Sequence, residues 1–451
     1  MRRKFLGLTC ASLALAAAAA CATSDAAPDT ISSLGGPEGG TTLPDGGAED
    51  ARTQPDTSAP DAAAAEQCSA AGWCETLLPD VDLQFVDIWP IADGAFALAG
   101  SESRGQKILE WNEATSSWSY IDEGSQNVVQ RFGTNIWAPS REEVYVSVVA
   151  LGESGFEAFV HHGTRPVPPA TKWSWTSQRI GCTRFDALFL PYVGGTSKDD
   201  VYLTFCGNIY RRTDAVDAGP DAGDAEAAWV VDHVDDDVES PWNLHGLSGT
   251  ASDDIWFVGA RGEAPAACAV VLHKTAVGYV PVADGAPLPD GTCAEKPGVF
   301  LVEGDISGGV EGQLGGGGFH APVRDRFVGV RVRDGWEAGN EIVSIARTAA
   351  GGYVVSSTKP PPTLATIVRK VWADSEDNVW LLGYGNPGGG QASFYRIIRG
   401  TNVWSGSGTW AYSTLVRNGA PNLQSLTQLR GTSNSNLWAV GDQRAFHKTT
   451  P

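Results

Sequence analysis

A short phrase recurs along this chain: Gly195-Thr-Ser-Lys-Asp-Asp-Val-Tyr202, Gly249-Thr-Ala-Ser-Asp-Asp-Ile-Trp256 and Gly431-Thr-Ser-Asn-Ser-Asn-Leu-Trp438, with looser copies ending at Tyr145 and Trp380. Repetition at this spacing marks an array of like units and limits the fold before any single residue is interpreted. Each phrase reads as a tight turn entering a strand. The strand after it is apolar, as in Asp254-Ile-Trp-Phe-Val-Gly259 and Asn436-Leu-Trp-Ala-Val-Gly441. A third strand is mixed, as in Val270–Lys274 or Ser393–Ile398. A fourth begins with an aromatic: Trp118, Trp175, Trp229, Tyr279, Trp410. No segment carries helical periodicity, and the 54 glycines suit many tight turns. Four strands per repeat describe one blade of a β-propeller, so the chain reads as all-β.

Inner strands are expected near Ile88, Ile136, Leu188, Leu244, Phe300, Val371 and Leu426, which gives seven blades, with six and eight as the alternative counts. The strand pair Val343–Ala346 and Tyr353–Ser356 lies too close to Val371 for a blade of its own and reads as an insertion or part of an irregular blade. Gly308–Gly318 is so glycine-rich that its strands are weakly specified. The last repeat supplies three strands and stops. Trp73-Cys-Glu-Thr-Leu-Leu78 fits the missing fourth, so an N-terminal strand should close the ring and cover two open sheet edges.

The N-terminus sets the compartment. Met1-Arg-Arg-Lys4, an apolar run to Ala20 and small residues before Cys21 describe a secretory signal, too short and Ala-rich for a spanning helix. Ala18-Ala-Ala-Cys21 resembles the bacterial lipoprotein cleavage box, although Ala18 stands where Leu is commoner. The resemblance implies lipid on Cys21, and Ala22-Thr23 after it implies the outer membrane or cell surface; free secretion is the alternative. Residues 22–67 are Ala, Asp, Gly, Pro, Thr and Ser with few large apolar groups, which cannot offset the entropy of ordering. They read as a tether of roughly 40 Å r.m.s. reach. The domain reading is therefore signal 1–20, lipidated Cys and tether 21–67, and propeller 68–451.

Six cysteines follow Cys21. An even number in an exported chain implies disulfides, and the strand order brings together Cys182 with Cys206 and Cys268 with Cys293, leaving Cys68 with Cys74 to pin the closing strand. The net charge of −21, more negative still without Arg2, Arg3 and Lys4, argues against nucleic acid and against docking on anionic lipid.

No pattern announces a reaction. The repeated acids Glu142-Glu143, Asp199-Asp200, Asp253-Asp254 and Asp377-Asn378 have an uncharged counterpart in Ser435-Asn436, which favours turn hydrogen bonding over metal or acid–base work. Asp214–Asp224 lacks the spacing and the closing Glu of an EF-hand. His161, His162, His233, His245, His273, His320 and His447 show no metal-ligand spacing, and no nucleophile elbow or phosphate loop is present. No catalytic residue, cofactor or metal is implied.

The Gly-Thr-Ser-x-x-Asp-Val-Trp/Tyr phrases followed by an apolar strand and Gly resemble the propeller heads of bacterial surface lipoproteins, over about residues 73–450. They resemble the sialidase Asp-box more weakly, because Ser252 stands too close to Trp256 and no Gly lies between them. The resemblance implies fold and location and carries over no catalytic residue. The leading expectation is a lipid-anchored, non-catalytic propeller binding a protein or glycan at the cell surface, through the rim bearing Gly100–Gln106, Gly259–Cys268, Gly383–Gln391 and Gly285–Pro297. A polysaccharide hydrolase or lyase and a structural envelope protein are the rivals. A buried carboxyl pair and an arginine cluster in the central channel would favour the enzyme.

Overall fold

Each copy of the repeated phrase is the turn between the first two strands of a four-stranded antiparallel sheet. A computed structural model describes residues 68–127, 131–152, 155–182, 190–213, 228–237, 240–262, 267–302, 318–331, 341–365, 367–375, 377–385, 394–417, 420–422 and 424–450. They form seven such sheets and two short two-stranded ribbons. Taken in chain order the sheets are blades one (83–120), two (131–181), three (192–234), four (242–283), five (319–358), six (367–413) and seven (426–448), with Trp73–Glu75 as the outer strand of blade seven. The signal, the tether and Asp214–Asp224 lie outside the described residues.

The phrase is legible in atoms. A side chain on Gly195 would strike the Asp200 carbonyl at 2.1 Å, and one on Gly249 would strike that of Asp254 at 2.6 Å, so the crossing backbones require glycine. The next residue bulges out of register, and its hydroxyl turns back onto the acid that opens the second strand: Thr196 to Asp200, Thr250 to Asp254. In blade seven Asn436 Nδ2 donates to Thr432 Oγ1 at 2.8 Å. These acids are turn braces.

Second strands are buried along their whole length, as in Asp200–Phe205 and Asp254–Arg261, because blades pack on both their faces. That is why they read as continuous apolar runs. The core lies between blades: Phe96, Leu98 and Ile108 of blade one meet Ile136, Val146 and Val148 of blade two, and Val328 and Val330 of blade five meet Val368 and Leu381 of blade six.

The ring closes as expected. Trp73 pairs with Lys448, Cys74 with His447 and Glu75 with Phe446. Trp73 is fully buried, 6.3 Å edge-on to Trp380, and its indole N–H donates to Ser413 Oγ at 2.8 Å. The disulfides are Cys68–Cys74, Cys182–Cys206 and Cys268–Cys293.

In blade three the described inner strand is Tyr192–Ser197, and Leu188 lies outside the described residues. One expectation is corrected. The inner strand of blade five is Phe319–His320, not near Phe300. Phe300 instead makes a parallel bridge to Ala283 at the end of blade four, its amide donating to the Val282 carbonyl at 2.9 Å. Of the two readings of Val343–Ala346 and Tyr353–Ser356, part of an irregular blade is the one observed: Glu341–Arg347 and Tyr353–Thr358 form the two outer strands of blade five.

Candidate functional site

Three of the seven histidines, His162, His273 and His447, fall into a repeated brace. The aromatic that ends each phrase pairs across the sheet with a third-strand residue: Tyr145 with His162, Trp256 with His273, Trp438 with His447, and Trp380 with Arg399. The rings stack at 4.4, 3.9 and 4.1 Å with interplanar angles of 10°, 8° and 9°. Each partner also reaches the acid or amide two residues before the aromatic. His273 Nε2 lies 2.8 Å from Asp254 Oδ1, His447 Nε2 lies 3.0 Å from Asn436 Oδ1, and Arg399 Nε donates to Asn378 Oδ1 at 3.1 Å. His162 Nε2 lies 3.4 Å from Glu143. Asp254, His273 and Asp325 bring ligand-type atoms close together, but those of Asp254 and His273 are engaged. His273 Nδ1 faces Tyr353 Oη at 2.9 Å, and Asp254 also accepts from Thr250 and the Asp325 amide. An amide fills the Asp254 position in blade seven, so the arrangement holds strands together and needs no cation.

The expected binding rim is stapled where it is described. In blade four the Arg261 guanidinium, almost wholly buried, bonds Asp235 at 2.7 and 2.9 Å and Asp284 at 2.7 and 3.2 Å. Lys296 joins Asp284 at 3.1 Å. The ribbon Gly285–Pro287 with Cys293–Glu295 is tied back through Cys268–Cys293. Much of Gly259–Cys268 and Gly383–Gln391 lies outside the described residues.

A second polar assembly lies at the axis. Arg430 on the inner strand of blade seven donates to Asp87 of blade one at 3.0 and 3.4 Å, and to Tyr192 Oη of blade three at 2.9 Å. Blades seven and three are not neighbours, so this contact crosses the channel. Burial pushes the Asp87 carboxyl above its ordinary range, against the pull of the Arg430 charge and the amides of Ile136 and Ile88. Lys370 and Arg369 of blade six share the field of Arg430. Burial, with the two guanidiniums, lowers the Lys370 ammonium to about 7 against the pull of Asp87. Burial and Arg430 take His320 of blade five to about 4.

On the face of the inner strand that carries Arg430, Trp137 and Trp372 are buried in the apolar clusters between blades. At the same level, opposite the second-strand aromatics, stand Trp89 (opposite Phe96), Trp137 (Tyr145), Gly194 (Tyr202), Ser248 (Trp256) and Trp372 (Trp380). The Arg430 guanidinium lies 5.1 Å over the Trp89 ring. Beside Trp89 a pocket of about 390 Å³ opens, walled by residues that include Asp93, Pro139, Arg141 and Thr432. These walls belong to the turns between first and second strands, so the pocket lies on the face opposite the expected rim. Sequence reasoning missed this mouth and the axial cluster. Their signal was a charge inside an apolar strand, as in Phe85-Val-Asp-Ile88 and Val368-Arg-Lys-Val371.

The sequence matches no family profile and no curated protein. Among solved structures it is similar to a polysaccharide lyase described as an ulvan lyase, at 10% identity and TM-score 0.47 over 83% of this chain and 94% of that one. It is also similar to a gluconolactonase from Xanthomonas campestris (11%, TM-score 0.38, 84% and 89%) and to the WD40 domain of SCAP from fission yeast (8%, 0.40, 79% and 82%). These likenesses are of fold. The seven sheets define the class, a β-propeller, by themselves.

Proposed function

We propose that this protein is an exported β-propeller, held at the outer membrane or cell surface by lipid on Cys21, that binds a glycan or protein without transforming it. The observation that supports this most is the pocket beside Trp89. A half-buried indole flanked by Arg141, Asp93, Ser140 and Thr432 offers an apolar platform with polar groups around it, the composition of a small-ligand site. Three disulfides suit an extracytoplasmic protein. Among the described residues no helix is long and apolar enough to cross a membrane.

The rival hydrolase or lyase reading asks for a carboxyl pair or a free acid–base pair at the axis. The described channel holds one acid in this cluster, Asp87, tied to Arg430, and a Tyr192 hydroxyl already engaged by the same guanidinium. Titration of the full chain with a panel of neutral and acidic oligosaccharides, read by indole fluorescence, tests the binding reading. A ligand that loses about tenfold or more in affinity on Trp89→Ala is expected. Turnover of any of them, or binding indifferent to Trp89→Ala, would refute it. For the anchor, Cys21→Ser should abolish palmitate labelling and release the protein from the membrane fraction.

A further inference from the structure

Arg141 stands on the wall of the pocket beside Trp89, and the fold uses only part of it. Its Nε donates to Glu110 Oε1 at 3.2 Å, while its two terminal amino groups bond no described residue. The side chain is 35% exposed. Glu110 is buried and also accepts from Arg165 Nη2. Arg165 Nε in turn donates to the Arg141 carbonyl at 2.9 Å, and its guanidinium lies 4.9 Å over the Trp173 ring. Backbone and side chain of Arg141 are thus held from behind with the fork left over. A guanidinium fixed before its ligand arrives loses little freedom on binding. Two guanidiniums share the one buried carboxylate. The next acid, Glu142, sits 3.7 Å from Arg165 and is mostly exposed, where solvent screens it.

The rest of the wall is mainly apolar: Trp89, Pro90, Ile91, Ala92, Ala138 and Pro139. Its two hydroxyls already serve their own turns, Ser140 Oγ accepting the Glu142 amide at 3.1 Å and Thr432 Oγ1 accepting from Asn436 Nδ2 at 2.8 Å. Asp93, exposed and bonded to no described residue, is the acid among them. A saccharide carries hydroxyls all round and asks for many polar partners, which this wall does not offer. We infer that the pocket takes the C-terminal end of a peptide chain. Its terminal carboxylate meets the Arg141 fork, its last side chain, an apolar one, lies against Pro90, Ile91 and Pro139, and Asp93 accepts from an N–H further back along the peptide. The inference deepens the binding reading above, rests on it, and takes its protein arm. An acidic saccharide shares the carboxylate without the apolar body and is the weaker occupant.

The test is calorimetry on the full chain with three probes: an N-acetylated tetrapeptide ending in two leucines with a free carboxylate, the same peptide as its C-terminal amide, and trigalacturonate. The same titrations are made on Arg141→Gln, which keeps much of the side chain's reach and removes the fork; Glu110 keeps Arg165, so no carboxylate is stranded. The free acid should bind about tenfold or more tightly than the amide, and Arg141→Gln should erase most of that difference while leaving amide binding unchanged. Equal binding of acid and amide by the native chain overturns the carboxylate and leaves the binding reading standing. Trigalacturonate bound more tightly than the free acid assigns the site to glycans and overturns the peptide. Binding of none of the three overturns the peptide and, joined to a silent saccharide panel, the binding reading with it. An undiminished acid preference in Arg141→Gln overturns the placement on Arg141. The comparison of probes on the native chain decides the matter even where the variant fails to fold.

Discussion

Arg261 is a heavily committed charge among the described residues. It is buried and bonded to two carboxylates, Asp235 and Asp284, which themselves hold the Trp242 and Gly285 amides. Removing one member of such a group leaves the others buried and uncompensated. Arg261→Ala should therefore cost about 3–5 kcal/mol in denaturant unfolding, far more than Arg324→Ala, whose pair with Asp253 is exposed on both sides. The repeated histidines make the same point more gently. Their stacked partners, and the acids or amide they reach, were invisible in the linear sequence, because Trp256 and His273 are seventeen positions apart and meet only once the hairpin has formed. The acids were legible, since the bond from Thr250 to Asp254 closes within one turn.

At the scale of strands and blades, what the sequence disclosed was local. The Gly-Thr turn, the apolar second strand and the aromatic at the head of the fourth strand all depend on neighbours in the chain, and all are where the repeats placed them. The inner strand of blade five was not legible. It is two residues long, Phe319–His320, and too short to carry a period. The axial cluster was hidden for the opposite reason: Asp87, Tyr192, Lys370 and Arg430 come from four blades and meet only when the ring is closed. Closure rests on Trp73, whose indole fills the interface of blades six and seven. Trp73→Ala should lower unfolding stability by about 3–5 kcal/mol. Deletion of residues 68–80, which also uncovers the edge at Arg444–Lys448, should give a chain that aggregates instead of folding, as read by light scattering. A soluble, cooperatively unfolding deletion would remove the seam from its role.

Across the whole molecule, acid should be the solvent condition it tolerates least. Burial takes His447 and His320 to about 4, from 6.5 in an open chain. Between those values the unfolded chain binds protons that the folded one refuses, so stability falls as pH drops from about 6.5 to 4 and is unaffected by these groups above 7. Thermal denaturation across that window should show a falling midpoint, and His447→Gln should flatten the slope. A midpoint constant from pH 7 to 4 would show that neither ring titrates on unfolding. The seam between Trp73–Glu75 and Arg444–Lys448 has a further consequence, in time. Ribosomes make proteins from the front, so the first strand of this ring waits, unclaimed, while nearly every later strand is being made. The circle can be completed only after synthesis has passed Lys448, which leaves any product truncated before it an open coil of sheets for proteases to find.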